Sequence, residues 1–470
     1  MTKPSKIERF SSAAGQFSAL EHRLGPIEYH PIASLTPYNK NPRRHPERQL
    51  VKLMASMSEF GFALPILVDA DRTIIAGHAR VEAARRLNIP EIPVLVALDW
   101  SAAQVRAYRL ADNRLAELAT WDNELLAVEL AAVIEIEIDE VPIELLGWGT
   151  AEIDLITEGE PKRSDSTDPA DSIPETPAAP VSRPGDLWLL GKHRLLCASS
   201  LDGASWDRLM NGRLGAMVFT DAPYNVPVSG HVCGLGKLQH AEFAMASGEM
   251  SKPEFTAFLL EAITHLSANI RDGAVLDLCM DWRHLPELTS AIEASELALL
   301  NLCVWNKTNG GMGSLYRSKH ELVLIAKKGK APHTNNVELG KHGRYRTNVW
   351  DYAGVNCFGR GRADLADHPT VKPVALVADA IRDVTRPGEI VLDAFMGSGT
   401  TILAANRTKR IAHGVEIDPG YVDVAIRRWS AMTGDEALLA DTGETFEATA
   451  LRRADESVVT DGSGPPNNQD

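Results

Sequence analysis

Three features that mark other classes of protein are missing from this chain of 470 residues. No apolar run approaches the roughly 18 residues that a membrane-spanning helix needs, and the polar segment 1–10 lacks the apolar core of a secretory signal. The cysteines are few and scattered, with neither CxxC nor metal-ligand spacing: Cys197, Cys233, Cys279, Cys303 and Cys357. The sequence therefore predicts no membrane segment and no metal site, and it favours reduced thiols in the cytoplasm.

Positive charge is also in deficit, but the deficit is local. The formal net charge is -15, while residues 122–184 alone hold 16 acidic and 3 basic side chains and residues 434–470 hold 9 and 2. The remainder is net basic, and residues 307–362 carry 11 basic side chains against 3 acidic ones. Because lysine and arginine release counterions from a phosphate backbone, this basic stretch is a candidate nucleic-acid surface. A solvated basic face without a ligand is the alternative.

Composition divides the chain into five regions. Residues 1–26 form a polar leader, and residues 27–150 alternate short β-like runs with helical patterns, which predicts a small α+β domain. Residues 151–184 are acidic and rich in proline, serine and threonine, so we expect a linker. Strands and helices alternate through residues 185–433, the pattern of an α/β, Rossmann-like domain with a parallel sheet. Residues 434–470 are acidic and are expected to be disordered.

A short loop at 221–224 has the chemistry to hold an amino group. It follows the apolar run 214–220, at the strand end where ligands bind in open α/β sheets. The Asp221 carboxylate and the Ala222 carbonyl can each accept one hydrogen of an exocyclic NH2 group, which directs the nitrogen lone pair at a methyl donor. Pro223 stiffens the loop, and Tyr224 offers a ring on which an extruded base can stack. An ordinary Asp/Pro turn is the alternative.

A second segment predicts a cofactor loop. Residues 389–393 form an apolar strand, Gly397-Ser398-Gly399 makes a turn, and Thr400 opens a helix, so that backbone N–H groups can approach a ligand. By position, Asp393 is expected to contact the amino-acid part of a cofactor. Glu416 ends the next strand, near the spacing at which an acid meets ribose hydroxyls. The segment lacks both a third glycine for GxGxxG and a GxxxxGK[ST] loop, which favours S-adenosyl-L-methionine over a dinucleotide or ATP. A glycine turn without a ligand is the alternative.

Residues 185–429 resemble the amino-group DNA methyltransferases, in the permuted class where the catalytic loop precedes the cofactor loop. Asp221-Ala222-Pro223-Tyr224 resembles that family's (D/N/S)-P-P-(Y/F/W) motif, and residues 393–401 resemble its D-x-F-x-G-S-G-T-T motif. Residues 368–373 resemble its H-P-(T/A)-x-K-P motif, while 305–307 and 316–321 resemble the segment beside the target-base pocket. The resemblance implies a cofactor site for S-adenosyl-L-methionine made of Asp393, Phe395, Gly397, Ser398, Gly399, Thr400, Glu416, Thr370 and Lys372.

Two departures from the family pattern bear on activity and one residue bears on the base. Ala222 stands where the family has its first proline, which removes a backbone restraint from the loop. Ala198-Ser199-Ser200 stands where Gly-Asp-Ser is frequent, so an aspartate for the cofactor adenine is absent and the Ser199 hydroxyl is its candidate replacement. In the family, Asp at the first motif position is commoner in N6-adenine enzymes, which favours adenine over the N4 of cytosine.

Residues 27–119 resemble the N-terminal domain of the ParB partition proteins. The likeness rests on Ile75-Ala76-Gly77-His78-Ala79-Arg80 and the helical residues that follow, with 65–68 and 92–94. In that family the glycine–arginine turn binds the phosphates of CTP, which implies a nucleotide or anion site at Gly77, His78 and Arg80. The related sulfiredoxins have a catalytic cysteine where His78 stands, so their chemistry is excluded. Whether the turn binds nucleotide, DNA or nothing stays open.

Together these features predict a DNA methyltransferase with an accessory ParB-like module. Double-stranded DNA is the expected partner, a homodimer is compatible with the sequence, and no cognate endonuclease or recognition sequence can be inferred. Two other hypotheses remain open. One is a non-catalytic DNA-binding regulator whose methyltransferase half is a relic, which the Ala222 and Ala198-Ser199-Ser200 departures favour. The other is methylation of RNA, which needs the same chemistry and the same basic surface.

Overall fold

The structure is a computed structural model that describes residues 23–136, 143–158, 168–177, 179–225, 248–307, 315–337, 345–354 and 371–461. The chain divides into two units, residues 1–133 with 137–149 and residues 134–136 with 150–470. Across the described ranges, no helix combines the length and the apolar character needed to cross a membrane.

The N-terminal unit is the small α+β domain expected from its sequence pattern. A sheet of order β1-β4-β2-β3 packs with helices around a core that includes Ile66, Ile74, Val81 and Ile92. Strand β1 already begins at Leu24, inside the segment predicted as a polar leader, and its pairing with β4 orders these residues. The elements are β1 Leu24–Pro31, α1 Glu47–Phe60, β2 Ile66–Val68, β3 Ile74–Ala76, α2 His78–Arg86, β4 Glu91–Ala97, α3 Ala102–Ala116 and α4 Asn123–Ile136.

The C-terminal unit alternates strands and helices. Its helices are α5 Thr150–Glu158, α6 Gly203–Met210, α7 Lys252–Ala268, α8 Leu285–Ala294, α9 Val374–Val384, α10 Thr400–Arg407, α11 Pro419–Thr433 and α12 Phe446–Asp461. Its strands are β5 Leu187–Leu190, β6 His193–Cys197, β7 Gly215–Asp221, β8 Ile270–Met280, β9 Ala298–Asn306, β10 His320–Lys327, β11 Val349–Asp351, β12 Ile390–Asp393, β13 Ile411–Glu416 and β14 Leu438–Leu439.

These strands form one sheet of order β11-β9-β10-β8-β7-β12-β13-β6-β5-β14. Its centre is parallel, with β7 paired to β8 on one side and to β12 on the other. Six of the seven residues of β7 are buried, which explains its nearly unbroken apolar sequence. Because β7 and β12 are parallel neighbours, their carboxyl ends meet at the same edge of the sheet, the usual place for a ligand.

Apolar clusters cover both faces of this sheet. On one face, Val377 and Ile381 of α9 pack with Trp429 of α11. On the other face, Phe255 and Ile263 of α7 pack with the strands. A sheet buried on both sides by helices is the α/β, Rossmann-like arrangement that the sequence predicts.

The segment predicted as a linker is partly folded, which corrects the sequence expectation. Residues 151–158 lie in α5, where Asp154 accepts a 2.7 Å hydrogen bond from Arg410, and the two side chains are 6% and 0% exposed. Further on, the backbone N–H of Ser182 donates to the buried Asp423 carboxylate at 3.0 Å. The acidic composition was misleading because Arg410 and Arg407 of the C-terminal unit form ion pairs with Asp154 and Asp168 of the predicted linker.

The acidic tail was predicted to be disordered, and this prediction is wrong as far as residue 461, because the segment forms a strand and a helix. Strand β14 pairs antiparallel with β5, and Phe446 of α12 lies 5.4 Å from the Trp188 ring, centroid to centroid. Arg453 donates two hydrogen bonds to Asp186, at 2.5 and 2.9 Å. Phe446, the Arg453–Asp186 ion pair and a second ion pair between Glu456 and Arg183 anchor this helix to the rest of the unit.

Candidate functional site

The two motifs separated by more than 170 residues meet at the ends of β7 and β12. The Thr220 hydroxyl donates to Asp393 Oδ1 at 2.8 Å, and the Thr401 hydroxyl donates to Asp393 Oδ2 at 2.7 Å. The backbone N–H of Phe395 adds a third bond to Asp393 Oδ1 at 3.0 Å. Asp393 was expected to contact a cofactor, but its carboxylate is buried and engaged inside the protein. These bonds organise the loop, and burial raises the pKa of Asp393 to about 6; its contact with a cofactor stays a prediction.

The glycine turn has the backbone shape that the motif predicts. Gly397 and Gly399 have φ angles of 52° and 85°, which side-chain-bearing residues rarely adopt. A Cβ atom on Gly399 would lie 2.7 Å from the Ala425 Cβ atom, so α10 and α11 need a glycine at their contact. Within 4 Å and among the described residues, a Cβ atom on Gly397 would meet only the Phe395 carbonyl oxygen, at 4.0 Å. The turn therefore leaves an open cradle.

Two further side chains define this cradle. Glu416 accepts hydrogen bonds from the backbone N–H groups of Gly397 and Asp418, at 2.7 and 2.9 Å. Burial raises the pKa of Glu416 to about 7. Behind the turn, Arg428 donates to the carbonyl oxygen and the hydroxyl of Ser398, at 2.7 and 2.8 Å. No signal in the sequence indicated Arg428, because this residue belongs to no motif and reaches the turn only when α11 packs beside it.

The loop at residues 221–224 is held by contacts among its own side chains and with nearby backbone groups. The Tyr224 hydroxyl donates a 2.6 Å hydrogen bond to Asp221 Oδ1, while Ala222 is buried against the core. Asn225, at a φ angle of 51°, binds the backbone N–H groups of Gly248 and Met250 through its side-chain oxygen. The loop thus stays folded with Ala222 in place of the family's first proline, since Pro223 and the Asn225 contacts still restrain it.

A lysine and a second carboxylate complete this loop. Lys372 Nζ lies 2.5 Å from Asp221 Oδ2, 2.8 Å from Glu321 Oε2 and 3.2 Å from the Tyr224 hydroxyl. Lys307 forms an ion pair with the other oxygen of Glu321. Lys372 was predicted as a cofactor residue, and the structure places its ammonium group against the Asp221 carboxylate. Thr370, its predicted companion, lies outside the described residues.

The acidic side chains of this cluster differ in how readily they ionise. Burial opposes ionisation of Glu321, but Lys372 and Lys307 outweigh it and lower the pKa to about 2. Burial raises the pKa of Asp221, and Lys372 opposes that rise while Glu321 adds to it. Burial and the two carboxylates raise the pKa of Tyr224 well above its usual value, so the phenol keeps its hydrogen and donates it to Asp221. Glu321 and Lys372 therefore stay charged as an ion pair, whereas the ionisation of Asp221 depends on the balance of the groups around it.

The predicted anion turn of the N-terminal unit has the expected geometry at Gly77. Its φ angle is 105°, and a Cβ atom there would lie 2.6 Å from Ile66 Cδ1. Arg80 donates to the Leu64 and Pro65 carbonyl oxygens at 2.7 and 3.2 Å, and also lines a cavity of about 300 Å³ with Tyr108 and other residues. Burial lowers the pKa of His78 to about 4, which leaves the ring neutral and an acceptor for the Tyr38 N–H.

Other expectations have mixed outcomes. The Ser199 hydroxyl accepts the backbone N–H of Leu201 at 3.2 Å, so it participates in the local turn. Much of the basic stretch 307–362 lies outside the described residues; within it, Arg346 is largely buried against Asp383 rather than on a solvated face. Among the described residues, no three His, Cys, Asp or Glu side chains are grouped to hold a metal ion.

Three family models match the chain. The DNA methylase model matches residues 216–427, which include both motifs. The ParB N-terminal domain model matches residues 18–119. A ParB-methyltransferase HTH domain model matches residues 124–184 and so covers α5 and the segment predicted as a linker.

Individual proteins resemble the two halves separately. The ParB-like nuclease domain-containing protein YnaK of Escherichia coli K12 is 43% identical over 70 residues, which are 15% of this chain and 80% of that protein. The type II methyltransferase M2.MboI of Moraxella bovis is 24% identical over 228 residues, or 46% of this chain and 81% of that protein. Among solved structures, the cytosine-N4-specific PvuII DNA methyltransferase is 16% identical, with a TM-score of 0.40, and the match covers 56% of this chain and 92% of that one.

Proposed function

Because the chain belongs to the ParB-like proteins through its N-terminal domain and carries an N6/N4-type DNA methylase domain, we propose that it methylates a base amine in double-stranded DNA. The proposed methyl donor is S-adenosyl-L-methionine. One observation carries the proposal: the Thr220–Asp393 hydrogen bond of 2.8 Å joins the amine-holding loop to the glycine turn. A methyl donor held at the turn would lie beside the amine that receives the methyl group.

The cradle at the glycine turn fits this cofactor. The open space at Gly397 leaves room for a ligand against the backbone, and Glu416 can accept hydrogen bonds from ribose hydroxyls. Ser398 is fixed by Arg428, which keeps the turn rigid. When bound, S-adenosyl-L-methionine supplies a methyl group on a positively charged sulfur, which keeps the electron pair of the broken C–S bond.

The 221–224 loop supplies what an exocyclic amine needs. Its nitrogen lone pair is delocalised into the ring, and hydrogen bonds to Asp221 and to the Ala222 carbonyl direct that pair out of the ring plane. Tyr224 gives the base a surface to stack on once it has left the duplex. After transfer the nitrogen is cationic and therefore acidic, and one of its protons passes to the Asp221 carboxylate and then to water.

Adenine N6 is the proposed target because Asp221 occupies the first motif position, where N6-adenine enzymes more often carry aspartate. Cytosine N4 poses the same chemical problem, and the contacts of Asp221 suit either amine. The N-terminal unit is proposed to engage DNA or to regulate the methylase. The HTH family model over residues 124–184 supports a DNA-engaging role, and Gly77 with Arg80 supports a nucleotide such as CTP as its ligand.

Transfer of a labelled methyl group tests the proposal. Wild-type protein is incubated with labelled S-adenosyl-L-methionine and either unmethylated duplex DNA or structured RNA, and cofactor binding is measured separately by calorimetry. We expect label in DNA and at most a trace in RNA. Label in RNA alone would overturn the DNA proposal. Folded protein that binds the cofactor but labels no DNA of varied sequence would favour the regulator hypothesis.

A further inference from the structure

Lys372 is the residue of the catalytic cluster that the proposed reaction leaves without a role. Its side chain is 4% exposed, and its ammonium nitrogen is within 3.2 Å of three oxygens, which belong to Asp221, Glu321 and Tyr224. An ammonium group has three hydrogens, so each of these oxygens can receive one. The lysine is therefore fully hydrogen-bonded without any ligand.

The contact with Asp221 is the informative one. At 2.5 Å from Asp221 Oδ2, Lys372 donates to the carboxylate that would hold the base amine. A base amine at Asp221 must share or replace that bond, since both are N–H donors to one carboxylate. Glu321 can keep the lysine when this happens, because it lies 2.8 Å away and is itself anchored by Lys307.

We propose that Lys372 is a positioning residue that holds Asp221 ionised before the base arrives and stays on Glu321 while the amine takes its place at Asp221. The inference rests on the proposed function and deepens it. During the reaction Lys372 keeps its three hydrogens, and Asp221 alone receives the proton that leaves the methylated nitrogen. A fixed positive charge beside Asp221 makes the carboxylate available at neutral pH although the site is buried.

Several groups besides Lys372 act on the charge of Asp221. Glu321 on β10 and Asp393 on β12 are carboxylates that oppose its ionisation, and Lys307 beyond β9 is bound to Glu321. The neighbouring weak acids are Tyr224 in the loop and Cys279 on β8, both with pKa values raised well above normal by burial. Both are neutral in the working range, so Lys372 and Glu321 dominate the pH response of Asp221.

The test compares Lys372→Met, Glu321→Gln and the double variant Lys372→Met/Glu321→Gln with wild type, using the full chain. The matched control is Lys252→Met, which removes a lysine that is 77% exposed at the start of α7. Each protein is first checked for a wild-type circular dichroism spectrum and then for affinity for S-adenosyl-L-methionine. The rate of methyl transfer at saturating DNA is then measured from pH 5.5 to 9.

We expect Lys372→Met to lower the rate at pH 7.5 by about 100-fold, the lower end for a positioned acid–base group. The acidic limb of its pH–rate profile should move up by about two pH units, because Asp221 would lack its cation and each unit lowers the ionised fraction about tenfold. The double variant should recover at least tenfold of this loss, since Glu321→Gln removes the repelling charge. Affinity for the cofactor should stay within twofold, and Lys252→Met should match wild type.

Other outcomes overturn the inference. A tenfold weaker cofactor affinity with an unmoved limb would make Lys372 a cofactor residue. Equal losses at every pH, with no recovery in the double variant, would make it merely structural. Carbon-13 NMR of aspartate-labelled protein separates this inference from the proposed function, because it needs no turnover. A higher titration midpoint for Asp221 in Lys372→Met, assigned with Asp221→Asn, supports the inference, and an unchanged midpoint contradicts it.

Discussion

The Thr220 hydroxyl donates a 2.8 Å hydrogen bond to the Asp393 carboxylate, across 173 positions of sequence. Both residues are buried at the end of their strands, β7 and β12. The bond fixes the distance between Asp221, which follows Thr220 and is proposed to hold the amine, and the glycine turn, which follows Asp393. Methyl transfer needs such a fixed distance, because a small misplacement of the reacting atoms costs much of the rate.

Replacing Asp221 with alanine should remove transfer and spare the cofactor. The Asp221 carboxylate is proposed to hold the amine, while the described contacts of the glycine turn come from Asp393, Glu416 and Arg428. The rate should fall by about 10²–10³-fold, as when one positioned hydrogen-bonding group is lost from an active site. Cofactor affinity, measured by calorimetry, should stay within twofold. Asp207→Ala, an exposed change on α6, is the control; a cofactor affinity lost with Asp221 would refute the assignment.

Gly399→Ala should lower the free energy of unfolding more than an alanine substitution at an equally strained glycine elsewhere. Gly434 has a φ angle of 81°, close to the 85° of Gly399, but a Cβ atom there would meet no atom of the described neighbouring residues within 4 Å. Gly434→Ala should therefore cost only the backbone strain, about 1–2 kcal/mol. Gly399→Ala adds a clash with Ala425, which should cost about 1–3 kcal/mol more in urea unfolding. Equal losses for the two variants would show that α10 and α11 are not in tight contact.

The buried pair of Asp154 and Arg410 should anchor α5 to the sheet domain. Its side chains are 6% and 0% exposed, so Asp154→Ala leaves a buried charge without its partner. Breaking such a pair costs about 3–5 kcal/mol, which urea unfolding can resolve. Glu175→Ala, a change at an exposed acidic residue further along the same segment, should stay within about 0.5 kcal/mol of wild type. A similar small effect for Asp154→Ala would mean that α5 is only loosely attached.

Stability should depend on pH through Glu416. Its pKa is about 7 in the folded protein against an ordinary 4.5, so the folded state binds the proton more tightly than the unfolded state. Below pH 4.5 both states are protonated and the group has no effect; between 4.5 and 7 the unfolded state ionises first, and stability is lost as pH rises. Since one pKa unit is worth about 1.4 kcal/mol, the cost above pH 7 is about 3 kcal/mol.

Glu416→Gln removes this titration and isolates its effect. The difference in unfolding free energy between variant and wild type should move in favour of the variant by about 2–3 kcal/mol from pH 5 to pH 8. Asp393, whose folded pKa is also raised, is present in both proteins and cancels in the difference. A difference that stays constant with pH would show that Glu416 is ionised across the whole range.

Local signals in the sequence were enough to predict the elements of the site. An apolar run before Asp221 and a glycine turn after Asp393 identify β7, β12 and α10, because these signals depend on neighbouring residues alone. The contacts of Lys372 could not be predicted in this way, since its partners Asp221 and Glu321 lie 151 and 51 positions away and no local pattern reveals them.

The predicted linker and tail failed for a related reason. Composition records that these segments are acidic, but it does not record which arginine each carboxylate meets. Asp154 meets Arg410, and Asp186 meets Arg453, so charges that look solvated in the sequence hold α5 and α12 in place. Ion pairs between residues far apart in the sequence can be identified only from the three-dimensional structure.

The most direct test of the account is to identify the methylated nucleoside. Unmethylated duplex DNA is treated with wild-type protein and S-adenosyl-L-methionine, digested, and analysed by mass spectrometry beside an Asp221→Ala sample. The account predicts N6-methyladenine from wild type and, in the same incubation, about a hundredth of that yield or less from the variant. N4-methylcytosine would keep the chemistry and overturn the base. No methylated nucleoside from folded, cofactor-binding wild type, or the same yield from both proteins, would contradict the central claim.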